Sequence, residues 1–230
     1  TGFTARFSPV SLHIRELVRQ GAIGEVRSLR LIYIWGAHGK YAAGPDGGRV
    51  EQARRAGRME EGGPLVDCGV HDIDLARWWL GSEVTRWSAA GAWVDEYDAP
   101  DHVYLNMDHA GGAHTMVEIS YSYGHTAAES VYHLSYDLIG TGGVIRYEME
   151  NERLEVRTDR GTEVRTFAAG KNFEGMYAAF ARALGAGSSD ELPTGEDGAA
   201  ATRIARAATE LVMAQRTCGR PRYRTRAKGE

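Results

Sequence analysis

Three residues that could share one piece of chemistry lie close together in residues 62–81, GGPLVDCGVHDIDLARWWLG: Asp67, His71 and Asp74. The stretch otherwise reads as a buried helix. Pro64 suits a first helical position, where its missing N–H costs nothing, and Gly81 suits the stop. Leu65, Val66, Val70, Ile73, Ala76, Trp79 and Leu80 supply an apolar face. Counted from Leu65 at roughly 100° per residue, Asp67 falls near ~200°, His71 near ~240° and Asp74 near ~180°, with Trp78 near ~220°. The polar groups therefore project together, opposite an apolar arc of about 0° to 140°.

Asp67 and His71 stand at i and i+4, so their side chains can meet. A carboxylate beside an imidazole raises its pKa and fixes its tautomer. That suits a group which gives or takes a proton near neutral pH. The spacing also allows an incidental ion pair on a solvated helix face, or part of a zinc or manganese site.

Other candidates carry less. His125, in YSYGHT, follows a strand and could enter a pocket from a loop. His13 reads as a surface helix residue, and His38 falls in or near a long loop. His102, His109, His114 and His133 fall in or beside strands and read as structural or solvated. There is no GxSxG, no Walker loop and no GxGxxG; GTGG at 140–143 lies between strands and reads as a hairpin.

The elements that must position these groups follow from local pattern. Residues 8–20 read as a helix with Ser8 as cap, Pro9 opening it and Gly21 ending it. EVRSLRLIYIWG reads as a strand. Residues 36–61 are polar and glycine-rich and read as a long loop or loose helical segment. After Gly81, EVTRWSAAGAWVDEY reads as a strand. Three hairpins follow, turning at AGG, at residues 140–143 and at Arg160–Gly161. Two helices close the chain, one near 172–185 capped by Asn172, the other near 197–217 capped by Asp197 with Gly219 beyond it. This order argues for an α+β fold, with one open, predominantly antiparallel sheet and helices on one face. Val103, Leu105, Met107, Val117, Ile119 and Tyr121 place apolar groups on at least one face of it. The other face would then pack against another subunit.

The totals bound the function. The 230 residues suffice for one large domain or two small ones, and 43% hydrophobic content supports a real core. Net charge is −4, and the only basic run is the terminal RPRYRTRAKGE, which reads as a solvated tail. Nucleic acid is a poor partner for such a chain. No apolar run has the length of a membrane span. Cys68 and Cys218 are the only cysteines, which suits reduced thiols in a cytoplasmic protein.

Residues 62–81 resemble the signature helix of the glucose–fructose oxidoreductase/inositol dehydrogenase (Gfo/Idh/MocA) family, through Asp67, His71, Asp74, Trp79 and Leu80. GFTARFSPVSLHIRELVRQGAIGEVRSLRL resembles the crossing into that family's second domain. LIGTGGVIR resembles its hairpin turn, and LPTGEDGAAATRIARAATELVMAQRTCGRPRY its closing helix. The resemblance implies a C-terminal domain of the kind also seen in dihydrodipicolinate reductase and glyceraldehyde-phosphate dehydrogenase. Residues 1–230 would form a single substrate-binding and oligomerisation domain, and the N-terminal Rossmann domain would be absent. The parent, of roughly 350 residues once a Rossmann half is added, would transfer hydride between NAD or NADP and a sugar, inositol or related polyol. This piece alone would hold no cofactor and turn over nothing.

By the same resemblance, Asp67 would orient the substrate hydroxyl and His71 would be the acid/base. Asp74, Tyr123 and His125 would contact substrate, and the chain would form a dimer or tetramer through its sheet. Two departures stand out. Glu61 replaces the first glycine of the usual triplet, and the family's Glu-Lys-Pro motif is absent. Two alternatives stay open: a stand-alone carbohydrate-binding or assembly module, and a metal-dependent isomerase or hydrolase.

Overall fold

A computed structural model describes residues 1–35, 41–43, 45–46, 48–95, 97–122, 132–168, 170–189 and 192–217. After a 3-10 turn at Thr4–Phe7, helix α1 spans Pro9–Arg19. Ser8 accepts a hydrogen bond from the Ser11 amide, and Pro9 opens the helix as expected. Strand β1 (Val26–Trp35) follows. In the segment expected to be a long loop or loose helix, short strands β2 (Tyr41–Ala43) and β3 (Arg49–Glu51) pair, and the helical part is α2, Ala53–Glu60.

The signature stretch is not one uniform helix. A wide π turn covers Leu65–Gly69, and α3 runs from Val70 to Leu80, where Gly81 ends it at φ 57°. The missing triplet glycine costs nothing. Glu61 is right-handed at φ −70°, whereas the two glycines that remain, Gly62 and Gly63, take φ 126° and 73°.

Strands β4 (Val84–Ala92), β5 (His102–His109), β6 (His114–Ser120), β7 (Tyr132–Gly140), β8 (Gly143–Glu148), β9 (Arg153–Thr158) and β10 (Gly161–Thr166) follow. With β1 they form one sheet in the order β10-β9-β8-β7-β1-β6-β5-β4. Only β1 and β6 run parallel; the other neighbours are antiparallel. The turn at 140–143 is a hairpin, docked by Thr141 N to Glu25 O (3.0 Å) and Gly142 N to Ile23 O (2.8 Å).

Helices α4 (Phe173–Ala186) and α5 (Gly195–Thr217) close the described chain. Asn172 caps α4 by accepting from the Gly175 amide at 2.7 Å. At α5 the cap is Thr194, not Asp197. The Thr194 hydroxyl accepts from Asp197 N, and the Asp197 carboxylate accepts from Thr194 N, a reciprocal capping box. Gly219 and the basic tail lie outside the described residues.

One sheet face carries the core. Leu29, Leu31, Leu105, Met107, Val117, Ile119, Leu138 and Ile145 are fully buried there, with Ile14 of α1, Ile73 and Trp79 of α3, and Ala201, Ala205 and Ala208 of α5. Each buried aliphatic side chain contributes about 1.5–3 kcal/mol. The three alanines recur at helical spacing, so α5 can lie close to α3. Trp79 Nε1 donates to Ser11 O at 3.0 Å, which fixes α3 against α1.

Val103, Leu105, Met107, Val117, Ile119 and Tyr121 are all buried on this helix-covered side, so they give no apolar surface to a second subunit. The opposite face is laced with cross-strand ion pairs, among them Arg30–Glu118 (3.7 Å), Arg86–Asp108 (2.7 Å) and Arg146–Asp137 (2.8 Å). Among the described residues, no helix is long and apolar enough to cross a membrane.

Candidate active site

The π turn aims Asp67 at the end of β6. Tyr121 Oη and Arg58 Nη1 both donate to Asp67 Oδ2. The Cys68 thiol lies 3.5 Å from the same oxygen and 3.1 Å from Tyr121 Oη. Asp67 Oδ1 has no hydrogen bond among the described residues, and the side chain is 21% exposed, so this oxygen is open to a ligand. Tyr121 itself is gripped from behind. Arg55 Cζ lies 4.9 Å from its ring centre and Trp35 meets it edge-on at 6.4 Å. Burial pushes the Tyr121 phenol well above its ordinary range and the Cys68 thiol up to about 11. Cys68 is therefore a thiol at neutral pH and no ready nucleophile.

His71 follows one turn later. Phe3 meets its ring edge-on at 5.6 Å. Its Nδ1 is buried with no hydrogen-bond partner among the described residues. The imidazole pKa lies below its ordinary value, first because burial disfavours the cation, then because Lys171 is near; Asp67 opposes this more weakly. Asp67 thus raises the His71 pKa as expected, but burial and Lys171 outweigh it and the net shift is downward. The wide turn hands the Asp67 carboxylate to Tyr121 and Arg58, and no hydrogen bond joins it to His71 among the described residues.

Asp74 does not share this opening. It is 0% exposed, and Arg6 takes both of its oxygens, Nε to Oδ2 at 2.7 Å and Nη2 to Oδ1 at 2.5 Å. Arg6 also reaches Asp197 at 3.2 Å. Asp74 thus ties the 3-10 turn and α5 to α3, and that turn carries the Phe3 which packs on His71. The expected single stripe divides into an open pair, Asp67 and His71, and a buried anchor, Asp74. Tyr123, His125 and His38 lie outside the described residues.

The other histidines are structural. His109 is buried between Ser82 O and Thr115 Oγ1, and His114 and His133 pair with Asp108 and Glu150. His13 is half-buried rather than fully at the surface: its Nε2 is buried and its ring lies 5.1 Å from Phe167. Among the described residues no group of three or more His, Cys, Asp or Glu could hold a metal ion.

Local pattern does not reveal Tyr121 and Arg6, which lie 54 and 68 residues from the carboxylates they meet, or Arg58, which is only nine residues before Asp67 but falls in the segment read as a long loop or loose helix. Asp72 had a local signal. At ~340° on the same helical count it borders the apolar arc. It is 6% exposed, its Oδ2 has no partner among the described residues, and burial pushes its pKa up to about 7.

Comparison with known proteins agrees with this architecture. The sequence profile described as the GFO/IDH/MocA C-terminal domain matches residues 11–146. A scyllo-inositol 2-dehydrogenase (NAD(+)) from Bacillus subtilis is 29% identical over 151 residues, covering 63% of this chain and 38% of that protein. An inositol 2-dehydrogenase from Rhizobium meliloti is 25% identical over 234 aligned residues, covering 94% of this chain and 63% of that protein. Among solved structures, a levoglucosan dehydrogenase in complex with NADH superposes with a TM-score of 0.68 at 21% identity, covering 93% of this chain and 63% of that one. The chain thus spans less than two thirds of the length of each of these relatives.

Proposed function

This chain belongs to the GFO/IDH/MocA family, and we propose that residues 1–230 are the substrate-holding, self-associating domain of a nicotinamide-dependent dehydrogenase acting on an inositol, sugar or related polyol. The observation that carries this reading is the open pair on one helix: Asp67 Oδ1 is unoccupied, and next to it stands a His71 that burial keeps neutral. Asp67 would accept a hydrogen bond from one substrate hydroxyl and so orient the ring. As the substrate carbon gives up hydride, His71 would take the proton of the reacting hydroxyl; in the reverse direction it would return that proton to the carbonyl oxygen. Tyr121 and Arg58 would hold Asp67 in place, and Asp74 would act at a distance through Arg6 and Phe3. Tyr123 and His125 would complete the substrate contacts.

The relatives named for NAD(+) or solved with NADH support the choice of redox partner. One glycine-rich turn among the described residues offers that cofactor no cradle. The glycine-rich turn at 140–143 already spends the Thr141 and Gly142 amides on Glu25 O and Ile23 O, so it cannot cradle a pyrophosphate. In this reading the dinucleotide is held by a Rossmann domain outside residues 1–230, and this chain alone is inactive. Self-association as a dimer or tetramer would use the ion-paired sheet face, and such an interface would be polar.

The test is direct. Titration with myo-inositol, followed by NMR of the His71 imidazole, should shift its signals saturably in the native chain and not in Asp67→Ala. Calorimetry with NADH should give no saturable heat. An absent inositol response, or tight stoichiometric NADH binding, would refute the assignment.

A further inference from the structure

We infer that Arg58 makes this a site for a polyol bearing a carboxylate, an acidic sugar or polyhydroxy acid, in preference to a neutral polyol. The inference rests on the polyol reading above and narrows its substrate class.

Arg58 stands in the last turn of α2, its side chain 22% exposed beside the open Asp67. Only Nη1 is engaged: it donates to Asp67 Oδ2 and lies 3.5 Å from Tyr121 Oη. Nε and Nη2 make no hydrogen bond among the described residues. They form one edge of the planar guanidinium, with parallel N–H bonds spaced to grip both oxygens of a carboxylate. Asp67 fixes the other end, so the fork is held in place before a ligand arrives.

The local charge balance points the same way. The Arg58 cation cancels the Asp67 anion, Arg6 cancels Asp74, and His71 is neutral. Lys171 stands near enough to His71 to depress its pKa and makes no ion pair among the described residues. Arg55 is buried one turn before Arg58, behind the Tyr121 ring, with Asp95 at 3.9 Å. Arg55 is thus matched by its own carboxylate, and the excess positive charge near the opening is that of Lys171. A neutral polyol leaves that charge unmatched. A carboxylate on Nε and Nη2 matches it, while the polyol's hydroxyls remain available to Asp67 Oδ1 and His71.

D-gluconate and D-glucitol test this, because they share a six-carbon hydroxylated chain and differ in a terminal carboxylate against a terminal alcohol. Calorimetric titration of the full chain at low ionic strength should show gluconate binding about tenfold or more tighter than glucitol, the scale of a charge-assisted two-point bond. Added salt should narrow the gap. Arg58→Gln should abolish the preference: it loosens Asp67 for both compounds alike, so the ratio of their affinities reports the fork alone, and an unchanged circular-dichroism spectrum shows that the variant is folded. Arg58→Lys, with charge but no fork, should keep only part of it. Equal affinities in the native chain, or a preference that survives Arg58→Gln, would overturn the inference and leave the polyol reading standing. Failure of both compounds to bind the native chain would overturn both readings.

Discussion

Replacing Asp72 by Asn should make the fold more stable above neutral pH and nearly unchanged in acid. Asp72 lies 6% exposed on α3, with Oδ2 unpartnered among the described residues and no ion pair to offset burial. Burial lifts its pKa from 3.8 to about 7. A raised folded-state pKa means that the native protein binds the proton more tightly than the unfolded chain does. Asp72 is therefore harmless below the unfolded value, and its cost grows as pH rises from 3.8 towards about 7, then levels off. At ~1.4 kcal/mol per unit, the cost is about 4 kcal/mol once saturated and less than half of that at pH 5. The advantage of Asp72→Asn over the native chain should thus grow by roughly 2–3 kcal/mol between pH 5 and pH 8. Urea unfolding of both proteins across that range measures it, and taking the difference between them cancels the other titrating groups. A constant difference across the range would mean that Asp72 is ionised in the fold and has found a partner. A difference that shrinks with pH would invert the burial argument outright.

Three further outcomes follow from the same geometry. The His71 imidazole should titrate below 6.5 by NMR, and its contribution to stability should fall as pH drops through that value, because the unfolded chain takes the proton first; a midpoint above 6.5 would restore Asp67 as the dominant neighbour. Arg6→Ala strands a fully buried carboxylate and should cost about 3–5 kcal/mol in urea unfolding, with Asp74→Asn in the same chain recovering part of it; a loss under ~1 kcal/mol would show that the Arg6–Asp74 pair holds nothing together. Tyr121→Phe removes one of the three donors on Asp67 Oδ2 and should cost about 1 kcal/mol in stability while weakening inositol binding, and unchanged binding would show that Arg58 and Cys68 suffice to orient Asp67.

The order of elements was legible because it depends on neighbours in sequence. Ser8–Pro9, Asn172 and Gly81 act within one turn, and the alternating strands carry their own period of two. Even so, the α5 cap was misplaced by three residues. Thr194 and Asp197 are both good capping residues, and only the reciprocal bond between them shows which one stands outside the helix. Residues 36–61 read as a long loop or loose helical segment without bounds because α2 is mostly polar; its buried contacts are Arg55 and Met59, a cation and a flexible thioether that give little periodic signal.

The site was legible in its residues but not in its wiring. A count at a fixed angle per residue assumes that every turn closes i to i+4, and Leu65–Gly69 breaks that assumption with a wider turn. The consequence is chemical. In a regular helix Asp67 would sit over His71 and raise its pKa; in the π turn it reaches β6 and α2 instead, and burial is left to govern the imidazole. The same displacement brings Arg58 to the opening, since Asp67 is the anion that holds it there. Straightening the turn would therefore change two properties together: His71 would move towards the cation, and the Arg58 fork would lose the anchor that presents it to a carboxylate.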